Sequence, residues 1–156
     1  RYRRRMDLDA DALHTLAAYT SVLLGVAGPV AALVYSIRVS QRDFWRRPMM
    51  VAATLAWLAV LGAYVSGSRL VDAEPRLLDD PQVAPHLEYA DRLLLPGTGF
   101  FVLALLTGFL NPRTGALRLM LPMLLSAFAV VVLALILLSG DAGMRELWDR
   151  VREAYQ

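Results

Sequence analysis

The sequence predicts an all-α membrane protein, with four transmembrane helices in an up-down bundle and an amphipathic helix at the C-terminus. Three observations carry this reading. Of 156 residues, 57% are apolar and only 19% charged, and mean hydropathy is positive at +0.46. The charges are bunched, so that uncharged stretches near the ~20 residues needed to cross ~30 Å of hydrocarbon alternate with short polar ones. The polar segments also differ in kind: two are short and rich in arginine, and one is longer and acidic.

The first twelve residues form a polar tail, in which Arg1, Arg3, Arg4 and Arg5 are followed by Asp7, Asp9 and Asp11. The acids suit the positive end of a helix dipole. A chain starting at Arg1 rather than Met is expected of a trimmed or processed product. The apolar run after the basic residues is too long for the h-region of a signal peptide. The first span is expected over 13–39, with Gly25, Gly28 and Pro29 in its middle. Pro29 cannot donate a helical bond, so a kink is expected there.

A loop over 40–47 follows, carrying Arg42, Arg46 and Arg47 with Phe44 and Trp45, aromatic rings suited to the lipid–water boundary. Pro48 reads as a first-turn residue of the second span, 48–68. There small residues recur four apart: Ala52 with Ala56, Ala59 with Ala63, and Gly62 with Ser66. Such spacing, like Gly25 and Gly28 in the first span, lets helix backbones approach closely.

The connection over 68–92 holds six acids against three arginines and is broken by Pro75, Pro81 and Pro85. So long a stretch without structure is unusual. One or two short surface helices are expected, with Leu77 and Leu78 or Leu87 facing inward. The third span is expected over 92–111, a turn at Asn111-Pro112-Arg113-Thr114-Gly115, and the fourth span over 116–139, ended by Ser139-Gly140-Asp141. Beyond it, over 140–156, Met144, Leu147, Trp148, Val151 and Tyr155 recur at helical spacing with charges between them. That stripe is expected to dock on a partner protein or lie in the interface.

Four spans place both termini and the long connection on one side. The short-loop side carries Arg38, Arg42, Arg46, Arg47, Arg113 and Arg118 against Asp43, which favours a cytoplasmic location for those loops and a periplasmic one for the termini.

Several classes of chemistry are excluded. Without cysteine there is no disulfide, thiolate nucleophile or cysteine-bound metal. The net charge is only +2 and the arginines sit at segment ends, not on one face, which argues against nucleic acid. No Gly-x-Ser-x-Gly, Walker or His-Glu-x-x-His motif is present. No Asp, Glu or Arg lies deep inside a span, where ion-coupled transporters need one. The intramembrane hydroxyls, Tyr19, Thr20, Ser21, Tyr35, Thr54, Tyr64, Thr107 and Ser126, are expected to serve helix packing. His14 opens the first span and His86 precedes the third, which places both near one membrane face. Two such imidazoles can ligate a b-type haem or share a metal with Glu88 or Asp91, although neither lies deep in a span.

His14 at the start of the first helix, Gly67 at the end of the second and His86 before the third resemble the pattern of a bacterial family of four-helix membrane proteins of unknown function. The resemblance covers roughly residues 13–138 and implies a four-helix membrane fold, with no activity attached. Where that family reads His-Pro and then His-Phe-Pro, this chain has His14-Thr15 and then Ala18-Tyr19-Thr20. The sequence thus leads to the expectation of a non-catalytic subunit of the bacterial inner membrane that packs against a larger, energy-transducing complex. Haem binding through His14 and His86, and a small oligomeric transporter or channel, are the alternatives.

Overall fold

Pro, Gly and Asn punctuate an otherwise continuous helical pattern, and the computed structural model follows it. Its described residues are 2–81 and 83–154 for the backbone, and 12–81, 83–141 and 152 for side chains. Four helices account for nearly all of them: α1 (Tyr2–Ile37), α2 (Arg42–Ala73), α3 (Ala84–Leu110) and α4 (Leu117–Ala154). Two short 3-10 helices, Val39–Gln41 and Pro75–Asp79, lie between them. No strand is present among the described residues.

The helices end for identifiable reasons. α1 stops where Arg38 leaves helical geometry at ψ 61°. α3 stops on Asn111, which adopts the left-handed conformation (φ 33°, ψ 57°) and donates its N–H to the Thr107 carbonyl. Asparagine tolerates that region because its short polar side chain can bond locally. Gly115 supplies the second positive φ, 74°, in the turn that leads into α4.

Cross-helix contacts fix the topology. His14 near the start of α1 meets Ser66 near the end of α2. Asn111 after α3 meets Asp43 in the first turn of α2. His86 early in α3 meets Ser139 late in α4, and Ser36 at the end of α1 meets the carbonyl of Pro122 near the start of α4. Each sequential pair is therefore antiparallel, α4 closes back on α1, and the four form an up-down ring with α1 and α3 at opposite corners. α1 packs most extensively on α2 and α3 on α4, while α2 and α3 form the thinnest neighbouring interface.

The core is a stripe along each helix. α2 buries Met49, Ala53, Ala56 and Val60, and α4 buries Leu125, Ala129, Val132 and Ile136. Both sets follow i, i+4, i+7, i+11, the spacing of a left-handed bundle seam. Tyr35, Ala32, Leu93, Phe100 and Ala104 complete it. The small residues lie at the closest approaches. A Cβ on Gly28 would stand 2.8 Å from Ala56 Cβ, and one on Gly25 would stand 2.6 Å from Ile136 Cδ1. Ala59 and Ala63 are half-buried, so the tightest crossing of α1 and α2 involves Ala52, Ala53 and Ala56.

The outward faces are apolar too. Leu23, Leu95, Phe109 and Met123 are 72%, 83%, 73% and 70% exposed. A helix apolar all round belongs in a large core or in lipid. Four segments are long and apolar enough to cross a membrane: Ala12–Ile37, Val39–Ala73, Ala84–Leu110 and Leu117–Asp141.

The differences from the sequence expectation lie at the polar joints. The stretch 2–12 continues α1 as helix, and α2 starts at Arg42, which places Pro48 inside it rather than in the first turn. The long connection shrinks, because α2 runs on to Ala73 and α3 starts at Ala84. One short helix, Pro75–Asp79, remains between them. Leu77 and Leu87 are half-buried as expected, whereas Leu78 is exposed and Val83 is the buried anchor. Ser139, Gly140 and Asp141 do not end the fourth helix. They are weak helix formers but none is proline, so the backbone bonds continue to Ala154. The side chains of Met144, Leu147, Trp148 and Val151, and all of Tyr155, lie outside the described residues.

Candidate functional site

Polar groups gather at the two ends of the bundle. At the end that carries the termini, His14 Nδ1 lies 3.0 Å from Ser66 Oγ. Ser66 gives its only hydroxyl proton to the Ala63 carbonyl at 2.9 Å, so Nδ1 is the donor of that pair. The His14 ring rests against Gly67, where a Cβ would stand 3.0 Å from Cε1. His86 Nδ1 lies 3.1 Å from the Ser139 carbonyl, which can only accept. Each imidazole is therefore oriented through Nδ1 by a group on the neighbouring helix. Each belongs to its own helix pair, α1 with α2 and α3 with α4. Among the described residues no group of three or more His, Asp or Glu side chains is placed to hold a metal ion.

The opposite end holds a denser network that sequence reasoning did not assemble. Pro122 has no N–H, so the carbonyl four residues earlier, on Arg118, loses its helical donor. Arg42 NH1 fills that vacancy at 3.0 Å, and its NH2 donates to the Ser36 carbonyl at the end of α1 at 3.3 Å. The guanidinium lies 5.6 Å from the centre of the Tyr35 ring, within cation–π range. Arg42 is only 8% exposed, and its Nε has no partner. Tyr35 in turn donates to Asn111 Oδ1 at 3.0 Å. Asn111 Nδ2 donates to Asp43 Oδ1 at 2.6 Å, and Arg113 pairs with Asp43 Oδ2 at 3.0 Å. All four helices are thus tied at one level. The signal available in the sequence was Pro122 four residues after Arg118, with Arg42 on the same side of the membrane.

Between the ends, polar side chains serve their own helices. Thr20, Ser21, Thr54 and Ser126 donate to carbonyls three or four residues earlier. Tyr35 and Tyr64 cross between helices, to Asn111 and to Asp91 on α3, and Thr107 is fully buried with no partner for its hydroxyl among the described residues.

Two spaces lie among the helices. An interior void of about 10 Å³, room for roughly one water, lies among Ala56, Trp57, Val60, Leu93, Gly97 and Phe100. A wider crevice of about 260 Å³ opens outward between α2 and α3, walled by Met50, Val51, Thr54, Leu55, Leu105 and Phe109.

No protein family, curated protein or solved structure matches this chain.

Proposed function

We propose that this chain is a multi-pass protein of the bacterial inner membrane, acting as a non-catalytic subunit that packs against and stabilises a larger, energy-transducing membrane complex. The observation that carries the reading is the contrast between surface and interior. The outer faces of all four helices are large apolar side chains, while the interior is closed down to a void of about 10 Å³ and tied at one end by Arg42. A bundle built in this way is a rigid scaffold. Met144, Leu147, Trp148, Val151 and Tyr155 supply the docking stripe in this reading. Solubilisation in mild detergent, followed by size-exclusion chromatography and cross-linking mass spectrometry, tests it. A stable assembly with cross-links to one defined membrane partner is expected. A lone monomer from native membranes sinks the subunit reading. Reporter fusions at the two ends should place both on one side, expected to be periplasmic.

One observation favours a second reading, b-type haem binding through His14 and His86. Nδ1 of each ring is tied to a neighbouring helix, to Ser66 Oγ for His14 and to the Ser139 carbonyl for His86, which fixes ring orientation as in metal-ligating histidines. The visible spectrum decides it: a Soret band supports haem, and a colourless preparation removes it.

A further inference from the structure

We propose that the crevice between α2 and α3 is a binding site for one anionic phospholipid, with an acyl chain in the crevice and the phosphate at Arg46 and Arg47. The proposal rests on reading the four helices as membrane spans.

The walls of the crevice are nearly all apolar. It lies at the thinnest interface between neighbouring helices. Its volume, about 260 Å³, suits a stretch of hydrocarbon chain and exceeds what side-chain mismatch leaves in a packed bundle. The opening faces outward, toward the surface formed by Val51 and Phe109, which are 58% and 73% exposed. Chemistry at its upper end sets the headgroup. Arg46 and Arg47 precede Met50 and Val51 by one helical turn, so Arg47 stands on the crevice face of α2 and Arg46 at its inner margin, next to the buried Met49. Side chains on a helix lean toward its N-terminus, which lifts both guanidinia out of the hydrocarbon to headgroup level. Arg47 is exposed. Arg46 is half-buried, and its Nε is closed off without a hydrogen-bond partner. Asp43, the acid of this end, is bonded to Asn111 and Arg113 and also lies within the field of Arg46, which leaves Arg47 as the exposed cation beside the crevice. Arg42 is likewise committed, to the carbonyls of Ser36 and Arg118.

Native mass spectrometry of the full chain in detergent, titrated with phosphatidylglycerol or with phosphatidylcholine, tests the site. Wild type is expected to bind one phosphatidylglycerol in preference to phosphatidylcholine. Replacing both arginines, Arg46→Gln with Arg47→Gln, is expected to weaken phosphatidylglycerol binding about thirtyfold, equivalent to ~1 kcal/mol for each basic residue near an anionic lipid. Val51→Phe, which fills the crevice from an exposed position and leaves the charge intact, should weaken both lipids. Arg38→Gln with Arg118→Gln, on the α1 and α4 edge of the same end, should leave binding unchanged. The proposal is overturned if the Arg46/Arg47 pair has no effect, if the Arg38/Arg118 pair weakens binding equally, or if Val51→Phe binds like wild type. Carbonate extraction keeps the two readings apart. Release from the membrane pellet sinks the four spans themselves, whereas a chain that stays in the pellet without lipid preference sinks only the site.

Discussion

Gly28 offers the most direct test of how α1 and α2 are held together. A methyl group there would stand 2.8 Å from Ala56 Cβ, 3.3 Å from the Ala52 carbonyl oxygen and 3.5 Å from Ala53 Cα. Favourable carbon–carbon contact lies at ~3.5–4.0 Å. The obstructing atoms are backbone or a Cβ fixed to backbone, so no rotamer change relieves the contact and the two helices must part by about 1 Å. Overpacking of this kind costs ~1–3 kcal/mol. Gly→Ala within a helix also returns ~0.5–1 kcal/mol of backbone entropy, so Gly28→Ala should lose ~0.5–2 kcal/mol net. Gly62 is the control, because a Cβ there meets nothing within 4 Å. Gly62→Ala should therefore match or exceed wild type by up to ~1 kcal/mol. Reversible unfolding in mixed detergent and SDS micelles, followed by circular dichroism, measures both. If Gly28→Ala proves as stable as Gly62→Ala, α1 and α2 do not meet at this crossing and the small-residue account of their packing is wrong.

Three further outcomes follow from the two ends and the tail. Arg42→Gln should destabilise the bundle by roughly 1.5–3 kcal/mol, the worth of charge-assisted hydrogen bonds. Pro122→Ala restores an N–H to the Arg118 carbonyl, so in that background the Arg42→Gln loss should shrink, as a double-mutant unfolding cycle would show. Asn111→Gly removes the bonds to Tyr35 and Asp43 but keeps the left-handed backbone accessible. Asn111→Ala loses both, and should unfold more readily than the glycine variant by ~1 kcal/mol. Truncation after Asp141 should leave the helical content of the four spans and their thermal transition intact while abolishing association with the partner complex. Full stoichiometry in the truncated complex removes the docking role from the C-terminal stripe.

The apolar architecture was legible from the sequence because hydrocarbon length and small-residue spacing are local properties. The four long helices, and the presence of Gly25 and Gly28 at helix crossings, required no knowledge of partners. Helix ends were less legible. Ser139-Gly140-Asp141 and the stretch around Arg42 carry residues that favour loops when free, yet both continue as helix. The polar network was the least legible, since its bonds span 76 residues from Tyr35 to Asn111 and 76 from Arg42 to the Arg118 carbonyl. Such pairings depend on which helices become neighbours. Arginine counts placed the six residues on one side correctly as a set, but gave Arg42, an interior brace, the same weight as exposed Arg47.

The division of Arg42 from its acceptor has a consequence for biogenesis. The guanidinium belongs to the first helical hairpin, and the carbonyl exposed by Pro122 belongs to the second. A chain emerging N-terminus first completes α1 and α2 before α4 exists. In that interval a cation destined for burial has the Ser36 carbonyl and the face of the Tyr35 ring but not its second carbonyl, which arrives with α4. The hairpin alone is then a marked intermediate, recognisable to quality-control proteases by an incompletely satisfied charge. Its lifetime should lengthen when α4 is delayed or removed. Pulse-labelled chains stopped before residue 117 should be degraded faster than full-length ones, and an Arg42→Met change should narrow that difference.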